Sequence, residues 1–552
     1  MSQFLRNRWL HRALLVGTLI ALGVGIYRMT PPEAMCVIDV QNRHLSWLSP
    51  DGRRLATLRI QSDVSFDEHG PLQIWDSRTG AEVGRFFEDG VNFLHPIFSR
   101  NGRYFATQVA KHDAAAKPNG IRVDGVLLAN LETGKTIRLP IEKCDAVTVL
   151  IFSPREDLLL RAGLNGCDKL WVYESASGNL LNTRASLHLI HPADFSDETL
   201  THYVRTESGR AGIELWNPRR NQPLATLDSV LGAVRSPDGR FLVARGSTSD
   251  GKPSGKSVIW NLRTRQIDAE FSLPGPTTQP TQFISPNSQW LGTFGGAAQD
   301  AHVEVRDLAT GQLAGRCYLD KVHYAFFSPD GRYLVLENPD APIVAMFELP
   351  TMRMLWKKEK TSFHLWNLFS KDSKTMFVES TDLRNIAALD CTTGARRATI
   401  TSAVPNLRRT ADPRYLLMYQ SQVSRLEQHP LSWIPWLKGL VKDIEGDRVF
   451  VYDTDVCRER FRFWDAKMSP GLLSDDANTL VTVHDEPGDR RTLRCWDVNA
   501  PKPLRWAIGV PAGLGALVVM FAWWRRRRAT RIPAGPGGAM PDTAVPAQCV
   551  ST

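Results

Sequence analysis

The chain has 552 residues, too many for a single small core, so it fits one large fold or two domains. Hydrophobic residues make up 43% and charged residues 23% of the chain, which excludes disorder as its general state. The formal net charge of +9 is concentrated at the two ends, so the composition argues against a basic nucleic-acid-binding surface in the middle.

The chain begins with a basic segment and an apolar run. Residues 13–27 carry no charge and would cover about 22 Å as a helix, so flanking residues are needed to complete a membrane span. We predict a cytoplasmic N terminus over residues 1–12 and a transmembrane signal anchor over residues 13–29. A cleaved signal peptide is the alternative, but no small-x-small cleavage motif follows. The arginines that precede the run are Arg6, Arg8 and Arg12.

A two-part repeat fills residues 38–505. A Ser-Pro-Asp-Gly-Arg turn at 49–53 is followed about 25 residues later by Ile74-Trp75-Asp76 and then a Thr-Gly turn. About ten such units recur, at spacings of roughly 40 to 60 residues. Further copies of the first half begin at Phe98, Phe152, Phe195, Ser236, Ser285, Ser328, Phe369 and Leu473.

The repeat predicts an all-β fold. Short apolar runs are separated by Pro-Asp-Gly, Asn-Gly and Thr-Gly turns, so each unit supplies about four short strands. One four-stranded sheet cannot bury both of its faces, whereas radially stacked sheets can, which is the β-propeller arrangement. Ten units exceed the usual blade number, so the alternatives are two adjoining propellers, one ring with some units outside it, or one unusually large ring. We favour two propellers with a boundary near residues 227–280.

The repeat resembles the WD-repeat family. The resemblance rests on the preceding turns and on four Trp-Asp or Trp-Asn pairs, although the Gly-His dipeptide of the family is missing. It implies a scaffold for protein–protein contacts and implies no chemistry. The pairs are Trp75-Asp76, Trp216-Asn217, Trp260-Asn261 and Trp496-Asp497.

One insertion, at residues 420–448, interrupts the repeat. Its apolar residues recur at helical spacing, and Trp433 and Trp436 flank them, while Pro435 falls inside the pattern. We predict a helical insertion that packs on the propeller, with contact to a membrane or a partner as the alternative.

A second apolar run lies near the C terminus. Residues 506–524 are 19 uncharged residues bounded by tryptophans, and Arg525–Arg528 follow directly, so we predict a transmembrane helix. The positive-inside rule then places both termini in the cytoplasm and the propeller outside it. Residues 525–552 are predicted to form a disordered cytoplasmic tail.

No motif for chemistry is found. The chain lacks a P-loop, a GxSxG elbow and an HExxH pair, and His188 and His191 have no evident third ligand. Asp475 and Asp476 lie in a repeat turn, where Asp is common. None of the eight cysteines forms a CxxC pair, although a bridge between Cys144 and Cys167 is an open alternative. We therefore predict no catalytic, cofactor-binding or metal-binding residue and no cofactor.

The predicted function is binding. The sequence favours a membrane-anchored scaffold that binds unknown protein partners in the membrane or envelope, without nucleic acid. The alternative is an extracytoplasmic sensor or an enzyme accessory with a site in the propeller channel. The C-terminal tail contains no recognisable signalling domain, which favours the scaffold.

Overall fold

A computed structural model describes the protein over most of its length. The described residues are 14–24, 32–41, 44–60, 69–88, 90–112, 121–139, 148–163, 169–186, 188–189, 195, 199–205, 211–248, 252–274, 282–296, 301–319, 322–338, 343–359, 368–379, 385–401, 406–409, 412, 414–424, 445–465, 468–486, 490–501 and 504–529. They fall into two compact units, Ala34–Ala500 and the terminal segments Met1–Glu33 with Pro501–Thr552.

The larger unit is all-β. In chain order its first strands are β1 (Cys36–Gln41), β2 (His44–Leu48), β3 (Arg54–Ile60), β4 (His69–Asp76), β5 (Glu82–Phe86), β6 (Asn92–Phe98), β7 (Tyr104–His112), β8 (Ile121–Asn130), β9 (Thr136–Leu139), β10 (Thr148–Phe152), β11 (Leu158–Gly163), β12 (Lys169–Glu174), β13 (Leu180–Ala185), β14 (His188–Leu189), β15 (Leu200–Arg205), β16 (Ala211–Asn217), β17 (Gln222–Leu227), β18 (Val230–Arg235), β19 (Phe241–Ser247), β20 (Pro253–Asn261) and β21 (Gln266–Ser272). The remaining strands are β22 (Gln282–Ile284), β23 (Trp290–Gly295), β24 (His302–Asp307), β25 (Leu313–Tyr318), β26 (Tyr324–Phe327), β27 (Tyr333–Asn338), β28 (Ile343–Glu348), β29 (Arg353–Glu359), β30 (Leu368–Phe369), β31 (Thr375–Glu379), β32 (Asn385–Asp390), β33 (Arg396–Thr401), β34 (Asn406–Arg409), β35 (Tyr415–Ser424), β36 (Glu445–Asp453), β37 (Arg458–Asp465), β38 (Met468–Leu473), β39 (Thr479–Glu486) and β40 (Arg490–Asp497).

These strands form ten antiparallel four-stranded sheets, the blades of a β-propeller. Blade 1 is β2–β5, and the following blades take four consecutive strands each, up to blade 9, which is β34–β37. Blade 10 combines β38, β39 and β40 with β1 from the other end of the chain, in the order β1-β40-β39-β38. The first and last parts of the propeller therefore share one sheet, and this pairing closes the ring.

The ring is single. Each of the ten buried apolar clusters joins two consecutive blades, and the tenth joins blade 10 to blade 1 through residues such as Val481 and Leu55. Between blades 5 and 6, where we had placed a boundary within residues 227–280, Ile259 and Leu291 share such a cluster without interruption. The prediction of two adjoining propellers is therefore wrong.

Both faces of a blade are buried because its middle strands lie between two neighbours. In β11, Leu158 and Leu160 pack towards blade 4, while Leu159 between them packs towards blade 2. Alternate side chains of one strand thus fill two different interfaces, which explains the continuous apolar runs in the repeat. The fourth strands are the most exposed, and the first strands of neighbouring blades approach one another at the centre.

The Ser-Pro-Asp-Gly-Arg turns have one geometry throughout. In blade 1, Ser49 Oγ donates to Asp51 Oδ1 at 2.6 Å and accepts the N–H of Arg54 at 2.9 Å. Gly52 has φ +70°, and a Cβ there would lie 2.5 Å from Thr479 Oγ1 of blade 10. The glycine thus allows both the turn and the close approach of the next blade. The same pair of serine bonds recurs at Ser236, Ser285, Ser328, Ser370 and Ser474.

The terminal unit contains two helices, α1 (Leu14–Val24) and α2 (Arg505–Ala529). Of the described residues, only α2 contains a segment long and apolar enough to cross a membrane, Ile508–Arg525, with a mean hydropathy of 1.4. Helix α1 is too short to do so, so a spanning helix at each end, with the first at 13–29, is not what the described residues show. The two helices border an open apolar groove of about 680 Å³, with Leu19 on α1 next to Gly515 on α2.

The insertion at 420–448, which we predicted to be helical, is β-strand at both of its ends. β35 continues to Ser424 and β36 begins at Glu445, so these parts belong to the sheet of blade 9. Residues 425–444, with Trp433, Pro435 and Trp436, lie outside the described residues. Of the predicted disordered tail 525–552, residues 525–529 form the end of α2, and residues 530–552 lie outside the described residues, as do the N-terminal residues 1–13.

Candidate functional site

The centre of the ring is bordered by the first strand of every blade. These ten strands come from ten separate parts of the chain. They lie near one another because each is the first strand of its blade and faces the centre of the ring. Their sequences contain no aspartate and no glutamate, and most of their residues are apolar or aromatic. A site built on these strands therefore has no carboxylate of its own for acid–base chemistry or for binding a hard metal ion.

Some apolar side chains on these central strands are exposed. On β26 of blade 7, Tyr324 is 51% exposed and its ring stacks on Phe326 with a centroid distance of 6.5 Å. On β18 of blade 5, Leu231 is 38% exposed. Exposed aromatic and aliphatic side chains on rigid strands suit contact with another molecule better than they suit catalysis.

Short turns form one face of the propeller. After the third strand of blade 1, Asp76 Oδ1 accepts the N–H groups of Arg78 and Thr79 at 3.0 Å each. The Asp of the Trp-Asp pair is therefore a turn former. Equivalent side chains at Asn130, Asn217, Asn261, Asp390 and Asp453 accept bonds in the same way.

Turns of neighbouring blades also bond to one another on this face. Asp238 N donates to Ser288 Oγ at 3.0 Å, and Asp330 N donates to Ser373 Oγ at 3.1 Å. Asp475 N donates to the Pro50 carbonyl at 3.0 Å across the closure of the ring. The predicted structural role of Asp475 and Asp476 is confirmed, because Asp476 accepts the hydroxyl of Ser474 at 2.6 Å.

On the opposite face, the connections between second and third strands all pass through residues outside the described ranges. His191 and the possible bridge between Cys144 and Cys167 also lie outside them, and His188 is described only as part of β14. Among the described residues, no three His, Cys, Asp or Glu side chains are grouped so that they could hold a metal ion.

The tryptophans of the repeat pack between blades. Trp216 is fully buried, Trp260 and Trp496 are 2% exposed, and Trp75 is half-buried, each in or against an inter-blade cluster. The packing role predicted for them is thereby confirmed. In blades 1 and 10 the indole N–H also donates to a threonine of the second strand, from Trp75 to Thr57 at 2.9 Å and from Trp496 to Thr482 at 2.8 Å.

Blade 4 contains a buried polar cluster that the sequence did not reveal. Glu214 on β16 accepts two bonds from Arg184 of blade 3, at 2.8 and 2.6 Å, and one from His202 Nε2 at 3.2 Å. Burial raises the pKa of Glu214, but the bonds from His202 and Arg184 outweigh it and hold the pKa at about 2. The cluster joins two blades, with Glu214 and His202 buried and Arg184 partly exposed, so we assign it to stability.

Comparison with known proteins identifies no family. No protein-family model matches the chain, and no curated protein matches it. A solved structure described as "Crystal structure of the eukaryotic initiation factor" aligns with a TM-score of 0.43 and 18% identity, covering 67% of this chain and 90% of that one. At this TM-score and identity, the likeness carries no argument about function. The propeller assignment rests on the strand pairing and on the ten inter-blade clusters.

Glu214 gives the propeller a specific sensitivity to acid. Its folded-state pKa of about 2 lies below the usual 4.5, so its charge stabilises the fold above about pH 4.5 and this contribution is lost as the pH falls towards 2. We expect Glu214→Gln to cost about 1–3 kcal/mol at pH 7, because Arg184 and His202 lose their acceptor, and to cost progressively less below pH 4.5. Thermal unfolding against pH measures this.

The matched control is Glu270→Gln, which removes the carboxylate of an exposed ion pair with Lys256. It should change Tm far less than Glu214→Gln at pH 7, because water already solvates both partners. Equal Tm changes in the two variants, or a Glu214→Gln effect that does not shrink at low pH, would show that the buried cluster does not stabilise the fold.

Proposed function

We propose that this protein is a membrane-anchored scaffold whose propeller binds a protein partner on the extracytoplasmic side. The observation that carries the proposal is the composition of the ten central strands, which combine exposed apolar side chains such as Tyr324 with a complete lack of carboxylates. A β-propeller also commonly serves as an interaction platform, because its packing and turns are separate from the surfaces that vary.

Anchoring is supported by the terminal unit. The candidate span Ile508–Arg525 is only 6% buried, so its apolar side chains lack a protein core to pack in. The segment ends at the first of four consecutive arginines, a stop-transfer arrangement that favours a cytoplasmic C terminus. Helix α1 is apolar as well, and residues on either side of it would have to extend it to complete a second span.

The partner we propose is a protein of the same membrane or envelope. Tethering confines the propeller near the membrane, which raises the effective concentration of any partner held there. The middle of the chain is nearly neutral, so apolar contact with a protein fits it better than binding to nucleic acid.

The topology can be tested with alkaline phosphatase fusions, because this enzyme is active only outside the cytoplasm. A fusion after Thr552 should be inactive, since four arginines hold the tail inside. The matched control is a fusion after Ala500, before α2, which should be active. The reverse pattern, or activity in both fusions, would rule out the proposed orientation.

Binding at the centre of the ring can be tested with a photo-crosslinking amino acid in the full-length chain in its native membrane. At position 324, on a central strand, irradiation should give a discrete adduct with another protein. At Ile267, which is 52% exposed on the outer strand β21, it should give much less. Equal adducts at both positions would indicate non-specific contact. A small cofactor bound at position 324, with no protein adduct, would favour the accessory-enzyme alternative.

A further inference from the structure

The strand pair that closes the ring carries two cysteines opposite each other. Cys36 is the first residue of β1, and its partner in the register with β40 is Cys495. The N–H of Met35 also donates to the Cys495 carbonyl at 2.7 Å, so the N-terminal segment is already bonded to β40 at the residue before β1. Directly opposed residues of antiparallel strands have Cα atoms about 4.5–5.5 Å apart, within the range of a disulfide.

The two thiols are in contact. The S–H of Cys495 is hydrogen-bonded to the Cys36 sulfur, and Cys36 Sγ donates in turn to the Ser77 carbonyl at 3.0 Å. Gly80 borders the same space, because a Cβ on it would lie 3.2 Å from Cys36 Cβ. Cys495 is fully buried, whereas the residue Cys36 is partly exposed.

The other described cysteines have different neighbours. Cys317 Sγ lies 3.5 Å from Met352 Sδ, and Cys457 Sγ lies 3.6 Å from the Thr454 carbonyl. Cys391 is buried in the cluster between blades 7 and 8. Within the described part of the chain, Cys36 and Cys495 are therefore the pair that the fold brings together.

We propose that Cys36 and Cys495 form a disulfide bond that locks the closure of the propeller. The bond would join the first and last strands of the ring covalently. It would also join the two points from which the chain continues towards α1 and α2. Disulfides persist in oxidising compartments, so the supply of an oxidant rests on the proposed extracytoplasmic location. The pairing of the two cysteines does not depend on that location.

The chemistry is a thiol–disulfide exchange with a disulfide-bearing oxidant. The Cys36 thiolate attacks one sulfur of the oxidant and displaces its other sulfur as a thiolate, which takes up a proton. Cys495, losing its proton, then attacks the Cys36 sulfur of the mixed disulfide and displaces the oxidant sulfur bonded to Cys36, which takes up that proton and leaves as a thiol. The two cysteines are oxidised by two electrons, and the disulfide of the oxidant is reduced to two thiols.

The surroundings of the two cysteines determine which thiol attacks the oxidant first. The hydrogen bond from Cys495 lowers the pKa of Cys36, while the same bond and burial raise the pKa of Cys495. Cys36 thus has the more readily ionised thiol and is the more exposed residue, so it is suited to the first step and Cys495 to the second.

The test uses the full-length protein in detergent, treated with oxidised glutathione, alkylated without reduction and digested with trypsin. Cleavage is expected after Arg28, Arg43, Arg494 and Arg505, which leaves Cys36 in the peptide 29–43 and Cys495 in 495–505. We expect these two peptides to be recovered joined by a disulfide, and oxidation to shift the thermal unfolding of the protein upwards. Failure to recover the joined pair under oxidation overturns the proposal.

Three serine variants serve as comparisons. Cys36→Ser and Cys495→Ser should each lose the joined peptides and the upward shift, whereas Cys457→Ser should keep both. If Cys36→Ser fails to fold, the joined peptides in the wild-type chain still decide the matter. An upward shift in Cys36→Ser as large as in the wild-type chain would contradict the assignment to this pair.

A second experiment tests the disulfide bond and the proposed extracytoplasmic location separately. Free thiols are trapped by alkylation in intact cells before lysis. Joined peptides after trapping support both proposals. A pair that is reduced in cells but joins with glutathione in detergent would overturn the physiological bond and contradict the extracytoplasmic location, while showing that the geometry permits it.

Discussion

The pairing of β1 with β40 is the constraint on which the rest of the structure depends. Nine blades are built from consecutive strands, so each can form from contacts that are local in sequence. Blade 10 alone needs a strand from the opposite end of the chain, and it supplies the last of the ten inter-blade clusters. Without β1, the edge of β40 would be unpaired and the cluster between blades 10 and 1 would lose Ile38 and Val40. Closure therefore makes a row of blades into a ring in which blade 10 packs on both of its neighbours.

Closure also determines where the two ends of the chain leave the ring. β1 is antiparallel to β40, so the start of one strand lies beside the end of the other, at Cys36 and Cys495. In blade 1 the corresponding strands, β4 and β5, are joined by a turn, whereas in blade 10 the turn is absent and the two chain ends leave there. The two chain ends thus take the place of one turn, and the other turns of that face remain intact. A disulfide between Cys36 and Cys495 would fix this exit point.

The sequence predicts the local parts of this fold well. The turns around Ser49 and Asp76, the four-stranded units and the packing of Trp260 follow from residue types at fixed spacing, because short-range hydrogen bonds and burial determine them. The number of rings does not follow from the sequence, because every unit has the same pattern whichever neighbouring blade it packs on. The Glu214 cluster was missed because it unites residues of two blades, and the Cys36–Cys495 pair was missed because it unites opposite ends of the chain within blade 10. The lining of the ring centre did not follow either, because it is assembled from ten strands that are distant in the sequence.

The central claim is that one ring of ten blades is closed by the two ends of the propeller. Single-particle electron microscopy of the detergent-solubilised full-length protein tests it directly, because a view along the ring axis shows every blade. We expect one ring of ten four-stranded sheets, with β1 as the outermost strand of the last blade. Two smaller rings, or a gap between blades 10 and 1, would contradict the account.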